Sequence, residues 1–204
     1  MNYVITIGRE FGSGGGEIGK KLSESLGIEY YDKKILEMAS ERSGINQKMF
    51  ENADEKHNSF LYSLSMAHYG GLVSPVYLND IITNDKLFII QSNIIKEVAN
   101  KSSCVIVGRC ANEILKDHPH ILNIYIHADI KERTHRIMEL YHLPEKSALT
   151  LIKKTDKNRS AYYNFYTNEA WGAAKTYDLC INSLALGIDG TVDLIENFVQ
   201  KKFK

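Results

Sequence analysis

Tyr3-Val4-Ile5-Thr6-Ile7-Gly8-Arg9-Glu10-Phe11-Gly12-Ser13-Gly14-Gly15-Gly16-Glu17-Ile18-Gly19 is the stretch on which the reading of this chain turns. Val4 to Ile7 is a short run with β-branched residues, as a strand favours, and it breaks into glycines. From Ile18 the apolar residues Ile18, Leu22 and Leu26 recur on one helical face, and Gly27 supplies the stop. A strand, a glycine-rich loop and a helix in that order set unobstructed backbone N–H groups at the positive end of a helix, a natural nest for phosphate. Four of the five residues from Gly12 to Gly16 are glycine. Each costs backbone entropy that a simple turn would not require. Gly12, Ser13, Gly14, Gly15 and Gly16 are therefore the expected phosphate-binding loop.

Two familiar patterns match letters here without matching context. Gly14 to Gly19 spells GxGxxG, and Asp32 follows at about the distance of a ribose-binding acid, but Gly14 comes too far after Ile7 for a dinucleotide fingerprint. The same glycines followed by Lys20-Lys21 mimic GxxxxGK, which would put the lysine inside the helix and Lys21 where a hydroxyl residue belongs.

Outward from the loop, Ile28 to Tyr31 reads as a second strand, with Asp32 as N-cap of a helix carrying Ile35, Leu36 and Ala39. Residues from about 43 to 78 weaken into polar helical pieces broken by Gly70-Gly71 and Pro75, the pattern of an insertion over a substrate. A long amphipathic helix is expected from Asp80 to Asn100, with an interruption near Asp85. Cys104 to Val107 lacks polar alternation, as a parallel strand covered on both faces does, and runs into Gly108-Arg109. Ile121 to Ile126 is a further strand, followed by Asp129 capping a basic helix through Leu140. Pro144 opens a helix to about Arg159, an aromatic stretch from Tyr162 to Tyr166 lies beyond it, Tyr177 to Ile181 is the last strand, and Val192 to Val199 the closing helix. Strands alternating with helices predict a parallel sheet with helices on both faces and ligands at the carboxyl ends of the strands.

Composition sets bounds on this. A chain of 204 residues suits one domain over 1–204, and 25 basic against 25 acidic residues leave no global field to draw it onto nucleic acid or a membrane. Cys104, Cys110 and Cys180 have neither zinc spacing nor the density of a disulfide scaffold, and Val4 to Ile7 is too short for a signal or a span, so a cytoplasmic location is expected. His118-Pro119-His120 has no third ligand nearby, so no structural metal is expected there.

The loop Arg9 to Gly15, then Tyr31-Asp32-Lys33, Val107-Gly108-Arg109, Asp129 through Arg136, Asp156-Lys157-Asn158-Arg159 and Tyr177 to Asn182 occur in an order that resembles the cytidylate kinase-like family, a branch of the nucleoside monophosphate kinases. The resemblance runs almost end to end. It implies a three-layer α/β P-loop NTPase fold with a five-stranded parallel sheet and a lid at about 129–160. It further implies ATP or another nucleoside triphosphate with Mg2+ at the loop, and a nucleoside monophosphate or other small phosphate-accepting substrate. Arg109 would meet the monophosphate, Asp32, Asp156 and Arg159 would hold the acceptor, and Arg133 and Arg136 would be lid arginines. On a helix, Asp156 and Arg159 share a face, and Arg133 and Arg136 set like charges side by side unless an anion joins them.

One departure bears on activity. Against a cytidylate kinase, the P-loop lysine position falls on Gly15, and Gly16 and Glu17 replace the hydroxyl residues beside magnesium. Arg9 is the best substitute cation, or else the partner of Glu10. The leading expectation is a phosphotransferase of weak or altered activity. The alternatives are a nucleotide- or phosphate-binding module without transfer and, behind it, a dinucleotide-dependent oxidoreductase.

Overall fold

The computed structural model describes residues 2–55 and 84–203. The chain forms β1 (Val4–Arg9), α1 (Gly15–Leu26), β2 (Glu29–Tyr31), α2 (Lys34–Ser43), α3 (Gln47–Glu55), α4 (Asn84–Lys101), β3 (Cys104–Val107) and α5 (Ala111–Ile114). It continues through β4 (Ile121–His127), α6 (Ile130–Tyr141), α7 (Glu145–Thr167), β5 (Leu179–Asn182) and α8 (Ser183–Phe203). Most of the expected insertion, with Gly70-Gly71 and Pro75, lies outside the described residues, as does the start of the helix expected from Asp80.

All five strands are parallel, in the order β2-β3-β1-β4-β5. This is the three-layer α/β P-loop arrangement. Alternation along β1 and β3 divides the core in two: Val4, Cys104 and Ile106 join Leu36, Ile94 and Val98 on one face. On the other, Ile5, Ile7, Val105 and Val107 meet Ile18, Leu22, Ile195 and Val199 of α1 and α8. Each fully buried Ile or Leu contributes roughly 1.5–3 kcal/mol, so the strand pattern alone is enough to hold register. Register in turn brings the carboxyl ends of β1 and β3 side by side, since Ile7 pairs with Val107.

The structure corrects three of the sequence expectations. Asp32 does not cap α2: Lys33 holds that position with helical φ, and no side chain caps the end. The aromatic stretch is not outside the regular elements, because α7 runs on through Thr167 and buries Tyr162 and Tyr163 against Cys110. Aromatic residues are middling helix formers, and here packing overrides propensity. Asp85 lies in the first turn of the described part of α4, and the residues before Asn84, where an interruption would fall, lie outside the described residues. The closing helical segment starts at Ser183, well before Val192, and bends at Gly187, which has φ 68°. The expected N-cap at Asp129 does form, its carboxylate accepting from Lys131 N–H at 2.8 Å. Gly27 ends α1 in the left-handed region, as expected.

Candidate active site

Strand β1 delivers Arg9 to the loop, and Gly14, with φ 80°, is the N-cap of α1. The helix thus begins at Gly15, earlier than the apolar face suggested, and GxGxxG lies mostly inside it, which speaks against a dinucleotide fingerprint. Close approach explains two of the glycines. A Cβ at Gly14 would stand 2.5 Å from Ile188 Cδ1, and one at Gly15 2.6 Å from Arg9 Cβ. Gly16 is open, with nothing within 4 Å. Ser13 is a structural member of the loop: its hydroxyl donates to Glu10 O at 2.9 Å, and its carbonyl accepts from Ser183 Oγ at 2.7 Å. The N–H groups of Gly14, Gly15 and Gly16 find no protein acceptor among the described residues. They are the first-turn donors that an anion would satisfy.

A polar clamp closes over the loop. Arg133 Nε donates to Ala128 O at 3.1 Å, and its Nη1 donates to Phe11 O at 3.2 Å and to Asp156 Oδ2 at 2.5 Å. The other Asp156 oxygen accepts from Phe11 N–H at 2.8 Å, and Glu10 Oε2 accepts from Ala128 N–H at 3.1 Å. Two expectations change as a result. Arg133 and Arg136 are not like charges awaiting an anion, because Arg133 is buried beside Asp156 and Glu10, and Arg136 is bonded to Glu17. Nor do Asp156 and Arg159 face one ligand, since Asp156 is taken up by the clamp. Likewise Arg9 pairs with Asp32, at 3.6 Å, and not with Glu10.

Beyond the ends of β1 and β3 opens a cavity of about 570 Å³ whose wall includes Gly8, Arg9, Phe11 and Asp32 but not Gly12 to Gly16. Arg109 enters it from a backbone held at positive φ over Gly108, Arg109 and Cys110 (77°, 60° and 54°). Non-glycine residues in that region carry strain of about 1–3 kcal/mol each, which the surrounding packing must overcome. Burial pushes the Arg109 guanidinium down from its ordinary value, and Arg9 adds to that. Arg159 reaches the cavity from α7, donating to Arg9 O at 3.2 Å and standing over the Phe11 ring at 5.4 Å. Burial first, then the charge of Arg9, push it down to about 9, against the opposing pull of Asp156 and Asp32. Three guanidinium groups, those of Arg9, Arg109 and Arg159, thus border one cavity.

Several wall residues were not singled out from sequence. Leu151, Lys154, Thr155 and Asn158 line the cavity from α7, and Asn112 donates to the hydroxyl of Tyr163 at 2.8 Å within its wall. The α7 residues form one helical stripe with Arg159 and Tyr162, so a helix continued past Arg159 would have exposed the pattern. Tyr163, Trp171 and Tyr177 also border the cavity, giving the aromatic residues a place near the ligand as well as in the core.

A five-stranded parallel sheet of this order, a glycine loop between β1 and α1, and a basic cavity beside it define a kinase-like P-loop protein. The chain belongs to the cytidylate kinase-like family, whose model matches residues 4–185. A crystal structure of an uncharacterized protein from Eubacterium ventriosum ATCC 27560 is 33% identical, covering 98% of this chain and 99% of that one, with TM-score 0.72. Shikimate kinase from Bacteroides thetaiotaomicron shares the fold at 12% identity, covering 97% of this chain and 98% of that one, with TM-score 0.56. A gluconokinase from Sinorhizobium meliloti 1021 does so at 11% identity, over 98% and 94%, with TM-score 0.52. A search of curated proteins finds no match.

Proposed function

We propose that the chain is a phosphotransferase of the nucleoside monophosphate kinase type, with a nucleoside triphosphate donor at Gly14 to Gly16 and a small phosphorylated acceptor in the cavity. One observation carries this reading. Two guanidinium groups, Arg109 and Arg159, are buried in a cavity at the carboxyl ends of the strands, next to a glycine loop with unoccupied first-turn N–H groups. The volume suits a nucleotide-sized ligand.

The donor fits the loop in part. Backbone N–H groups of Gly14, Gly15 and Gly16 would hold its phosphates, and a side chain at Gly14 or Gly15 would fill the cradle. Magnesium would come with the triphosphate, held by its phosphate oxygens and by water. Glu17 stands at the helix start where a hydroxyl would lie beside magnesium, and its carboxylate is held by Arg136. A triphosphate with magnesium supplies the transferable phosphoryl group. The chain's own part is positioning and charge: Arg109 and Arg159 fix the acceptor, and Arg136, leaving Glu17, turns toward the donor phosphates. Arg133 and Asp156 act one step back, by holding the loop backbone at Phe11.

Gly15 in place of the lysine favours a second reading, in which nucleotide is bound but not transferred. Thermal shifts with ATP, with and without magnesium, and with CMP, followed by a turnover assay, separate the two. Stabilisation by ATP and CMP with turnover supports transfer, and stabilisation without turnover supports the binding module. No stabilisation by any nucleotide rejects both. A cytoplasmic location belongs to the same proposal, consistent with Cys104, Cys110 and Cys180 all being free thiols. Among the described residues no helix is long and apolar enough to cross a membrane.

A further inference from the structure

The pattern GxxxxGK, laid on residues 9 to 15, meets Arg9 where its first glycine belongs and Gly15 where its lysine belongs. The two departures are sterically linked. A Cβ at residue 15 would stand 2.6 Å from Arg9 Cβ and 3.1 Å from its Cγ, so the stem of Arg9 crosses the place where any side chain at 15 would start. The guanidinium ends on the other side of β1. It lies 3.6 Å from Asp32 Oδ1, a Cβ on Gly108 would fall on its Nη1, and it lines the cavity with Arg109 and Arg159. Among the described residues, the charged groups of that wall apart from Asp32 and Glu51 are all basic. Asp32 at this distance is a loose partner for a guanidinium whose side chain is only 17% exposed.

We propose that Arg9 is a ligand of the acceptor's phosphate. By exchange of residues 9 and 15, the positive charge that a P-loop places at its helix start stands instead at the end of β1, where it joins Arg109 and Arg159 around a phosphate monoester. The proposal rests on the phosphotransferase reading for what the cavity holds, and it narrows that reading. A doubly charged phosphate balances three converging guanidinium groups better than the single carboxylate of a hydroxy acid does.

Trp171 is the only tryptophan of the chain and borders the cavity, so its fluorescence reports on occupancy there. It is titrated with CMP and with cytidine in the natural chain, Arg9→Lys and Arg9→Gly, while ATP binding is followed by thermal shift. The expected result is that CMP binds more tightly than cytidine, and that both variants weaken CMP about tenfold or more while ATP affinity changes by less than about twofold. Loss of ATP affinity with CMP unchanged would place Arg9 on the donor side and overturn the proposal. Equal CMP affinity in all three chains would overturn it too, leaving the broader reading intact; a natural chain that binds neither ATP nor CMP overturns both. The exchange has its own test, in that Gly15→Lys alone should lower the melting temperature, whereas Arg9→Gly/Gly15→Lys should melt near the natural chain and bind ATP more tightly. A Gly15→Lys chain as stable as the natural one would refute the steric link.

Discussion

Arg133 Nη1 lies 2.5 Å from Asp156 Oδ2, and this contact between α6 and α7 is made directly over the backbone of Phe11. Both side chains are largely buried, at 9% and 17% exposure. Removing one member leaves the other charged and poorly compensated, which costs far more than the pair itself contributes. Asp156→Ala is therefore expected to lower unfolding stability by about 3–5 kcal/mol, measured by denaturant titration. A change below about 1 kcal/mol would mean that Glu10 alone satisfies Arg133.

The adjacent glycines Gly15 and Gly16 should respond in opposite directions to the same substitution. Gly15→Ala forces a Cβ to 2.6 Å from Arg9 Cβ and is expected to cost about 1–3 kcal/mol. Gly16→Ala meets nothing within 4 Å in the first turn of a helix and is expected to stabilise by roughly 0.5–1 kcal/mol. Paired melting curves check this, and equal losses at both sites would refute the loop geometry.

How far the sequence carries the site depends on how local each signal is. Val4 to Ile7, Gly27 and the Asp129 cap are decided within a few residues and appear in the structure as read, while the glycines lie between β1 and α1 with Gly15 and Gly16 already in the first turn of the helix. The pairings of Arg9 with Asp32, of Arg133 with Asp156 and of Arg136 with Glu17 join residues 23 or more apart. Tertiary packing alone brings these together, the strand order for Arg9 and Asp32 and helix-on-helix contact for the other two, so spacing along the chain could suggest where charges lay but not which would neutralise which. The cavity stripe on α7 went unread for a different reason. Tyr162, Tyr163, Phe165 and Tyr166 look unlike a helix by propensity, and packing against Cys110 and Phe88 decides the matter.

Arg159 should make acceptor binding dependent on alkaline pH. Its folded value, about 9, lies below its ordinary 12.5, so between these limits the folded chain binds fewer protons than the unfolded one, and the contribution of Arg159 to stability rises with pH. Ligand binding has the opposite dependence, because the neutral guanidine no longer attracts an anion. CMP affinity, followed by Trp171 fluorescence, is expected to fall as pH climbs past about 9. Arg159→Gln should bind more weakly at neutral pH, by about 1.5–3 kcal/mol, and should lack that fall. An Arg159→Gln chain that binds CMP as tightly as the natural chain at neutral pH would remove Arg159 from the acceptor site.

Glu17 places a negative charge in the first turn of α1, where the helix dipole and the free N–H groups of Gly14 to Gly16 would otherwise favour phosphate. It also holds Arg136, whose Cζ would be 3.8 Å from a Cβ at Gly14, close to the loop yet committed to a carboxylate. A donor phosphate must therefore compete with Glu17 for the same guanidinium. Both groups are partly exposed, at 32% and 43%, so solvent and salt weaken the pair and the competition is winnable. Glu17→Gln is expected to tighten ATP binding by about 0.5–1 kcal/mol at low salt, through loss of repulsion and release of Arg136, with the gain shrinking as salt is raised. In an Arg136→Ala background the same substitution should gain less, since only the repulsion remains to be relieved. Calorimetry of the four chains closes this cycle, and identical gains with and without Arg136 would show that the arginine does not reach the donor phosphates.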